Sequence, residues 1–219
     1  ILDLNKTVVK LEEATEAMKK IARSGRKIMY VATKKQAKEI VSTAAKEVNM
    51  PYITERWPGG MLTNFVTIRK AVKKMSTIDK MKADGTFMVL SKRERLQIDR
   101  QRAKLEKTLG SISDMTRLPA ALFIVDVKRE AIAIAEAKKL GIPTFAMVDT
   151  NADPELIDFA IPSNDDASKS ISIILNAVNA GVAEGLADRK KEKEVQAAAK
   201  KDEAAAKEEV KEVKAEKAE

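Results

Sequence analysis

The sequence predicts an α/β protein built on an open, doubly wound parallel sheet of about five strands. Short β-rich segments alternate with helical segments along most of the chain, which is the pattern of βαβ units. Residues 64–112 interrupt this alternation with a basic stretch that is too long for an ordinary crossover between two strands. We therefore expect an α/β domain over residues 1–187 with an inserted helical hairpin over 64–112.

The first half of the domain contains one amphipathic helix and one βαβ unit. Residues 5–23 carry apolar side chains at spacings of three and four, as a helix with one buried face does. Residues 27–32 and 52–54 are short β-rich runs. Between them, residues 34–48 have helical spacing, and Thr33 is the predicted N-cap of that helix.

The second half of the domain resumes the alternation after the insertion. Its elements are, in chain order, a nearly continuous apolar strand at 120–126, a helix at 129–140, a strand at 144–148, a short strand at 159–161, and a helix from Asp166 or Ser168 to about Leu186. The apolar run at 120–126 is typical of a parallel strand covered on both faces.

The insertion reads as two helices joined by a loop. Residues 64–82 have helical spacing, residues 83–85 form a turn, and Ser91 should cap a second helix over 92–109. Each helix has one narrow apolar stripe, so we expect an antiparallel coiled-coil hairpin. Residues 188–219 are almost entirely Ala, Lys and Glu, and we expect a disordered tail or a fraying helix there.

Composition excludes several classes of site. The chain has no cysteine and no histidine, which excludes disulfides, thiolate zinc sites, Cys nucleophiles and Ser–His–Asp catalysis. We find no apolar run near the roughly 18 residues that a membrane span needs and no targeting segment. Because the chain opens on Ile1, we expect a trimmed start.

Positive charge is concentrated in the insertion. The net charge of the chain is +8; it divides into +5 for residues 1–63, +8 for 64–110, −5 for 111–187 and zero for 188–219. Such a polarised distribution indicates a face that binds a polyanion, whereas charge that serves solubility is normally spread more evenly.

The insertion carries thirteen Lys and Arg against five acidic residues, more cations than local ion pairing requires. Few aromatic residues lie among them, so contacts to backbone phosphates are expected rather than base stacking. The hairpin residues that we select as RNA-binding are Arg69, Lys70, Lys73, Lys74, Lys92, Arg93, Arg95, Arg100 and Arg102.

Two further segments are candidates for RNA contact. The segment 56–65 contributes Arg56, Trp57, Gly59, Gly60, Thr63 and Asn64. Its glycines would let the backbone approach a phosphate, and Thr63 or Asn64 would cap the next helix. A tight turn with Trp57 packed as a core plug explains the segment 56–65 equally well.

Lys34 and Lys35 lie at a predicted helix N-terminus, where the helix dipole disfavours positive charge and a bound anion would offset that cost. Simple solvation of both lysines is the alternative.

Acidic residues follow the C-terminal strands. Asp126, Asp149 and Asp153 lie where open α/β sheets bind ligands, so a Mg²⁺-dependent or small-molecule enzyme is an alternative function. Asp165 and Asp166 follow the last strand. The same residues suit turns and helix caps, and we favour that explanation.

A series of motifs runs along about residues 1–186: DLNKT at 3–7, ATKKQA at 32–37, RWPGGMLTNF at 56–65, LP at 118–119, ALFIVD at 121–126, EA at 136–137, LGIP at 140–143, VDTNADP at 148–154 and IPSNDDA at 161–167. In content and order, these motifs resemble the universal S-two family of bacterial small-subunit ribosomal proteins. The family usually begins with a longer segment carrying His-Phe-Gly-His and Trp-Asn-Pro stretches, which this chain lacks.

The resemblance implies a flavodoxin-like sheet with an inserted coiled-coil hairpin. It also implies a cytoplasmic, structural component of the small ribosomal subunit, without enzymatic activity, cofactor, metal or small-molecule substrate. The expected partners are 16S rRNA and neighbouring small-subunit proteins, including the large mRNA-binding one. The hairpin and the segment 56–65 are where this chain would contact RNA.

Overall fold

The computed structural model describes the backbone of residues 2–216 and the side chains of residues 2–194. Its sheet has five strands: β1 Ile28–Val31, β2 Tyr52–Ile53, β3 Ala121–Val125, β4 Thr144–Val148 and β5 Phe159–Pro162. All neighbours are parallel, in the order β2-β1-β3-β4-β5. This is the flavodoxin-like strand order, so the predicted doubly wound parallel sheet is confirmed.

Seven α-helices lie along the described chain, with two short 3-10 helices at Gly110–Ile112 and Pro154–Leu156. The α-helices are α1 Leu4–Arg23, α2 Lys38–Glu47, α3 Phe65–Ala83, the single turn α4 Thr86–Val89, α5 Lys92–Leu109, α6 Ala131–Leu140 and α7 Ser168–Glu216. Most ends lie within two residues of the predicted ones. Larger differences occur at the start of α2 and at the end of α7.

The helix α2 begins four residues later than predicted. Thr33 is not its N-cap, because the Thr33 hydroxyl instead accepts a hydrogen bond from Nε of Arg129 at 2.9 Å, and the Thr33 amide donates to Glu130 at 2.8 Å. Residues 34–37 form a turn that leads into the helix. Lys34 and Lys35 therefore lie in the turn directly before α2, where the Lys34 carbonyl accepts from the Lys38 amide at 3.1 Å. An anion bound at Lys35 stays a prediction.

The sheet separates two apolar layers. Along β3, Ala121, Phe123 and Val125 face the layer that contains α1, α2 and α7. Leu122 and Ile124 face the other layer, which contains α6 and the base of the insertion. Alternate side chains of a strand point to opposite faces, so a continuous apolar run is what a strand buried on both sides requires.

The helix α7 is the longest element and continues well beyond the predicted end near residue 186. Within the described residues, its segment Ser168–Glu194 is the one stretch that contains an 18-residue window apolar enough to cross a membrane, with mean hydropathy 1.3 in that window. Ile171, Leu175 and Val178 of this segment are fully buried against the sheet and α1, which explains its apolar character. Residues 217–219 lie outside the described residues, and fraying over 188–219 stays a prediction.

The insertion folds into two helices, α3 and α5, that run antiparallel. Asp79 pairs with Arg102 at 2.7 Å, and Lys82, which comes later on α3, pairs at 2.6 Å with Asp99, which comes earlier on α5. The two helices therefore run in opposite directions. As predicted, Ser91 caps α5, in a capping box with Glu94. Coiled-coil packing of the pair stays a prediction.

Candidate nucleic-acid interface

The entrance to the hairpin is held by one buried carboxylate, that of Glu136 on α6. Its Oε1 accepts hydrogen bonds from Nε1 of Trp57 at 3.1 Å and from the Gly60 amide at 2.8 Å. Its Oε2 accepts from the amides of Leu62 at 2.9 Å and Thr63 at 3.1 Å, and from the Thr63 hydroxyl at 3.2 Å. The segment 57–63, directly before α3, is thus folded around a single acidic side chain.

These hydrogen bonds decide the role of the Trp-Gly-Gly segment. Burial alone would raise the pKa of Glu136, but the amides of Thr63 and Leu62, with Trp57 and Gly60, outweigh burial and lower it. Trp57 is buried in the second apolar layer. Trp57 is therefore packed in the core beside a tight turn, and the donors of Trp57, Gly60 and Thr63 are taken up by Glu136. RNA contact by these residues stays a prediction.

Three candidates of the segment remain on the surface. Arg56 and Gly59 are exposed, and a Cβ placed on Gly59 would meet nothing within 4 Å. Asn64 occupies the N-cap position of α3, as predicted, but its side chain makes no hydrogen bond to a helix amide; it accepts from the Thr67 hydroxyl at 2.8 Å. Sequence reasoning did not single out Glu136 as a functional residue, although an acid in a short helix of Ala and Ile was a usable signal.

Lys34, selected as an RNA contact, lies instead at the centre of an acidic cluster. Its Nζ is 2.6 Å from Asp165, 2.5 Å from Asp166 and 3.6 Å from Asp126. Only 8% of Lys34 is exposed. Burial alone would lower its pKa, but the hydrogen bonds to Asp165 and Asp166 outweigh burial and raise it. Lys34 is consequently a buried, paired cation, while Lys35 beside it is exposed in the turn.

The acidic cluster bears on the alternative of a Mg²⁺-dependent enzyme. Asp149, Asp165 and Asp166 each offer an oxygen within 4.8 Å of the others, at the carboxyl ends of β4 and β5. The Lys34 ammonium already pairs with two of these three carboxylates, so a protein cation stands where the alternative needs a metal. Asp153 is exposed and caps the turn after β4 by accepting from the Glu155 amide at 2.9 Å, which is the capping role that the sequence favoured.

Most cations of the hairpin, unlike Lys34, are exposed and unpaired among the described side chains. Among the described side chains, Lys82, Arg102 and Lys107 pair with carboxylates, so Arg102 is largely occupied by Asp79 and Glu106. The other ten make no ion pair within that part of the chain, and all except the half-buried Arg95 are exposed. They are Arg69, Lys70, Lys73, Lys74, Lys80, Lys92, Arg93, Arg95, Arg100 and Lys104.

Comparison with known proteins agrees with this fold and charge distribution. The family model for ribosomal protein S2 matches residues 1–185. The chain belongs to the ribosomal protein S2 family. It is 73% identical over 198 residues to the small ribosomal subunit protein uS2 of Flavobacterium johnsoniae, covering 90% of this chain and 78% of that one. It is 66% identical over 193 residues to the protein of the same name from Bacteroides fragilis, covering 88% and 69%.

Membership of this family confirms three expectations from the sequence. The chain is a ribosomal protein of the small subunit, its family consists of structural proteins rather than enzymes, and the bacterial small subunit is cytoplasmic. A third relative, the small ribosomal subunit protein uS2 of Christiangramia forsetii, is 67% identical over 209 residues, which cover 95% of this chain and 69% of that protein. The enzymatic alternative has no support from any of these relatives.

Proposed function

We propose that this ribosomal protein binds 16S rRNA through phosphate contacts made by the exposed cations of the hairpin. The observation that carries the proposal is the set of ten hairpin cations, nine of them exposed, without carboxylate partners among the described residues. Unpaired cations concentrated on two helices create the positive field that attracts a polyanion. Because few aromatic side chains lie among them, the contacts read the shape of the backbone rather than base identity.

Charge reversal in the hairpin tests this function. Lys74→Glu, Arg93→Glu and Arg100→Glu together lower the net charge by six, from +8 to +2. The matched control, Lys190→Glu, Lys191→Glu and Lys193→Glu on α7, makes the same change on exposed residues outside the hairpin. We expect affinity for structured 16S fragments to fall at least about tenfold in the hairpin variant at moderate salt, and to change little in the control. Equal losses in both variants would contradict the proposal.

We also propose that the chain helps to dock neighbouring small-subunit proteins, including the large mRNA-binding one. An apolar groove of about 670 Å³ supports this, because Leu4 and Ile173 lie in it largely exposed beside Asp149. A surface that combines apolar and acidic residues repels RNA and suits a protein partner. Leu4→Glu should weaken capture of the purified mRNA-binding protein, whereas Ile132→Glu, an exposed apolar site outside the groove, should not.

A further inference from the structure

A groove of about 490 Å³ lies at the amino edge of the sheet, where β3 and β4 begin. This is the edge opposite to the acidic cluster and to the groove around Leu4. Three separate parts of the chain form its wall: the end of α1 with the turn after it, the segment before β3, and the segment between α6 and β4. Most of the lining is apolar, and it includes Ile21, Leu118, Pro119, Leu140 and Pro143.

Two leucines of this groove are open to solvent. Leu118 is 39% exposed and Leu140 is 41% exposed, although Ala120 and Ile142, each two positions further along the chain, are buried. Both leucines line the same concavity together with two prolines. They form the kind of exposed apolar surface that a protein partner covers.

Cations lie along the three segments that form the groove. Residues 20–27, 117–120 and 138–143 contain four, one and two cations, seven in all, and no acidic residue. Arg26 lines the groove itself. The guanidinium of Arg189 packs against the turn before Arg26, so that a Cβ on Gly25 would lie 1.8 Å from its Cζ.

This positive charge is not neutralised within the described part of the chain. Arg26, Arg117 and Arg189 make no ion pair there, and neither do the two lysines that precede Leu140. None of the described carboxylates lines the groove. Asp158, directly before β5 at the same edge, accepts hydrogen bonds from the amide and the hydroxyl of Thr144 at 2.8 and 2.9 Å.

We propose that this groove binds a segment of a neighbouring small-subunit protein that carries apolar side chains flanked by Asp or Glu. The apolar side chains of the partner cover Leu118 and Leu140, and its carboxylates pair with cations such as Arg26 and Arg117. Burial of the leucines supplies affinity, and the ion pairs select an acidic partner and fix its orientation. This surface differs from the hairpin cations and from the groove around Leu4, so the inference goes beyond both functions proposed above.

An acidic protein segment explains the groove better than RNA does. A phosphate backbone contacts cations but gains little from covering leucine and proline side chains. No aromatic residue among those described lines the groove, so bases have no platform on which to stack. An apolar centre with charge around it is the usual anatomy of an interface between proteins.

Replacement of the two leucines is the first test. The groove variant is Leu118→Glu with Leu140→Glu in the full chain, and the matched control is Ile132→Glu with Leu156→Glu, at residues 60% and 42% exposed outside the groove. Small subunits are assembled from 16S rRNA and the purified small-subunit proteins, with each variant in place of the wild-type chain. After a salt wash, we expect retention of the groove variant to fall at least about tenfold and retention of the control to change little. The affinity of both variants for free 16S rRNA should stay within about twofold of wild type.

A peptide probe tests the charge of the partner. The probe is a labelled synthetic peptide of alternating leucine and glutamate, and its control has lysine in place of every glutamate. By fluorescence anisotropy, we expect the wild-type chain to bind the first peptide at least about tenfold more tightly than the second. Arg26→Gln with Arg117→Gln should weaken binding of the first peptide severalfold. The hairpin variant with Lys74→Glu, Arg93→Glu and Arg100→Glu should bind it within about twofold of wild type, because the peptide contacts the groove.

The other results overturn the inference. If the groove variant loses affinity for free 16S rRNA, the groove binds RNA. If the wild-type chain dimerises in sedimentation equilibrium and the groove variant does not, a second copy occupies the groove. Unchanged retention on small subunits, or equal binding of the two peptides, would show that no acidic protein segment binds there.

Two controls keep these results interpretable. Circular dichroism and thermal unfolding, measured on every variant, establish that the fold is intact. If charge reversal in the hairpin leaves RNA affinity unchanged, the proposed RNA-binding function fails while the inference about the groove stands.

Discussion

Glu136 joins the α/β domain to the start of the hairpin. Five donors converge on its two oxygens, and 8% of the residue is exposed. In the Glu136→Gln variant, one oxygen would become an amide nitrogen facing N–H donors. Because buried N–H groups left without an acceptor each cost about 1–3 kcal/mol, we expect the free energy of unfolding to fall by about 3 kcal/mol.

Urea unfolding measures this loss, and Glu39→Gln, on the exposed face of α2, is the matched control. Trp57 is the single tryptophan of the chain, so the fluorescence reports on this site alone. Because Trp57 donates a hydrogen bond to Glu136, we expect the variant to expose the indole to water and to shift its emission to the red. The pKa of Glu136 is lowered from 4.5, so its contribution is complete above pH 4.5 and disappears as the pH falls through the lower folded-state pKa. A difference between wild type and variant that stays constant down to pH 2 would contradict this account.

Lys34 and Lys35 are adjacent in sequence but have different roles. Removing the Lys34 ammonium would leave the carboxylates of Asp165 and Asp166 without their partner, so Lys34→Met should lower the free energy of unfolding by about 3 kcal/mol. Lys35→Met should change it little, because Lys35 is exposed. Unfolding in urea at pH 7 compares the two.

The same pair of variants separates stability from RNA affinity. The folded Lys34→Met protein should bind RNA within about twofold of wild type, since a buried ammonium makes no phosphate contact. The raised pKa of Lys34 means that its stabilisation is complete below pH 10.5 and is lost as the pH rises through the folded-state value. A Lys34 variant that keeps full stability but loses RNA affinity would restore the original assignment.

At the scale of elements, α7 and α1 approach each other closely at two glycines. A Cβ on Gly185 would lie 2.4 Å from the backbone oxygen of Lys19 and 3.2 Å from the Arg23 nitrogen. A Cβ on Gly181 would lie 2.3 Å from the Thr15 methyl group, which is at the end of a side chain. Backbone atoms cannot rotate away as a methyl group can, so Gly185 is the stricter position.

We therefore expect Gly185→Ala to destabilise the protein by about 2 kcal/mol, although alanine is the better helix former. Gly181→Ala should cost less, and Gly59→Ala, where a Cβ has open space, should be close to neutral. Thermal unfolding of the three variants gives the ranking directly. A stabilised Gly185 variant would show that the two helices can separate at no cost.

At the scale of the whole molecule, positive and negative charge are concentrated in different regions. The hairpin region carries +8 and residues 111–187 carry −5. The acidic cluster lies at the carboxyl edge of the sheet, whereas the exposed cations lie on α3 and α5. RNA should therefore approach the hairpin and be repelled from the strand ends, which orients the protein on its partner.

Removing residues 195–219 tests the predicted independence of the Ala/Lys/Glu-rich tail. That segment carries six lysines and seven acidic residues, so its removal changes the net charge from +8 to +9. The chain that ends at Glu194 keeps the contacts of α7 with α1, including the Lys19–Glu184 pair at 2.7 Å and the pair of Arg23 with Glu192. Affinity for the 16S fragment should stay within twofold of the full chain, measured by filter binding. A larger loss would assign the tail a role in RNA binding.

The sequence by itself determined the kinds of element, their order and the region of excess positive charge. Apolar spacing of two or of three to four residues depends on neighbours along the chain, so it predicted β3 and the hairpin helices closely. The capping box at Ser91 was equally local, with its partner Glu94 three residues away. Charge counts need no structure at all.

Tertiary structure alone decided which polar residues face inward. Lys34 meets Asp165 across 131 positions of sequence, and Trp57 meets Glu136 across 79. A lysine beside another lysine, or a tryptophan beside two glycines, has the same local pattern whether it faces RNA or a buried carboxylate. Burial depends on what the fold brings opposite a side chain, and the desolvation of a charge is decided by that distant partner.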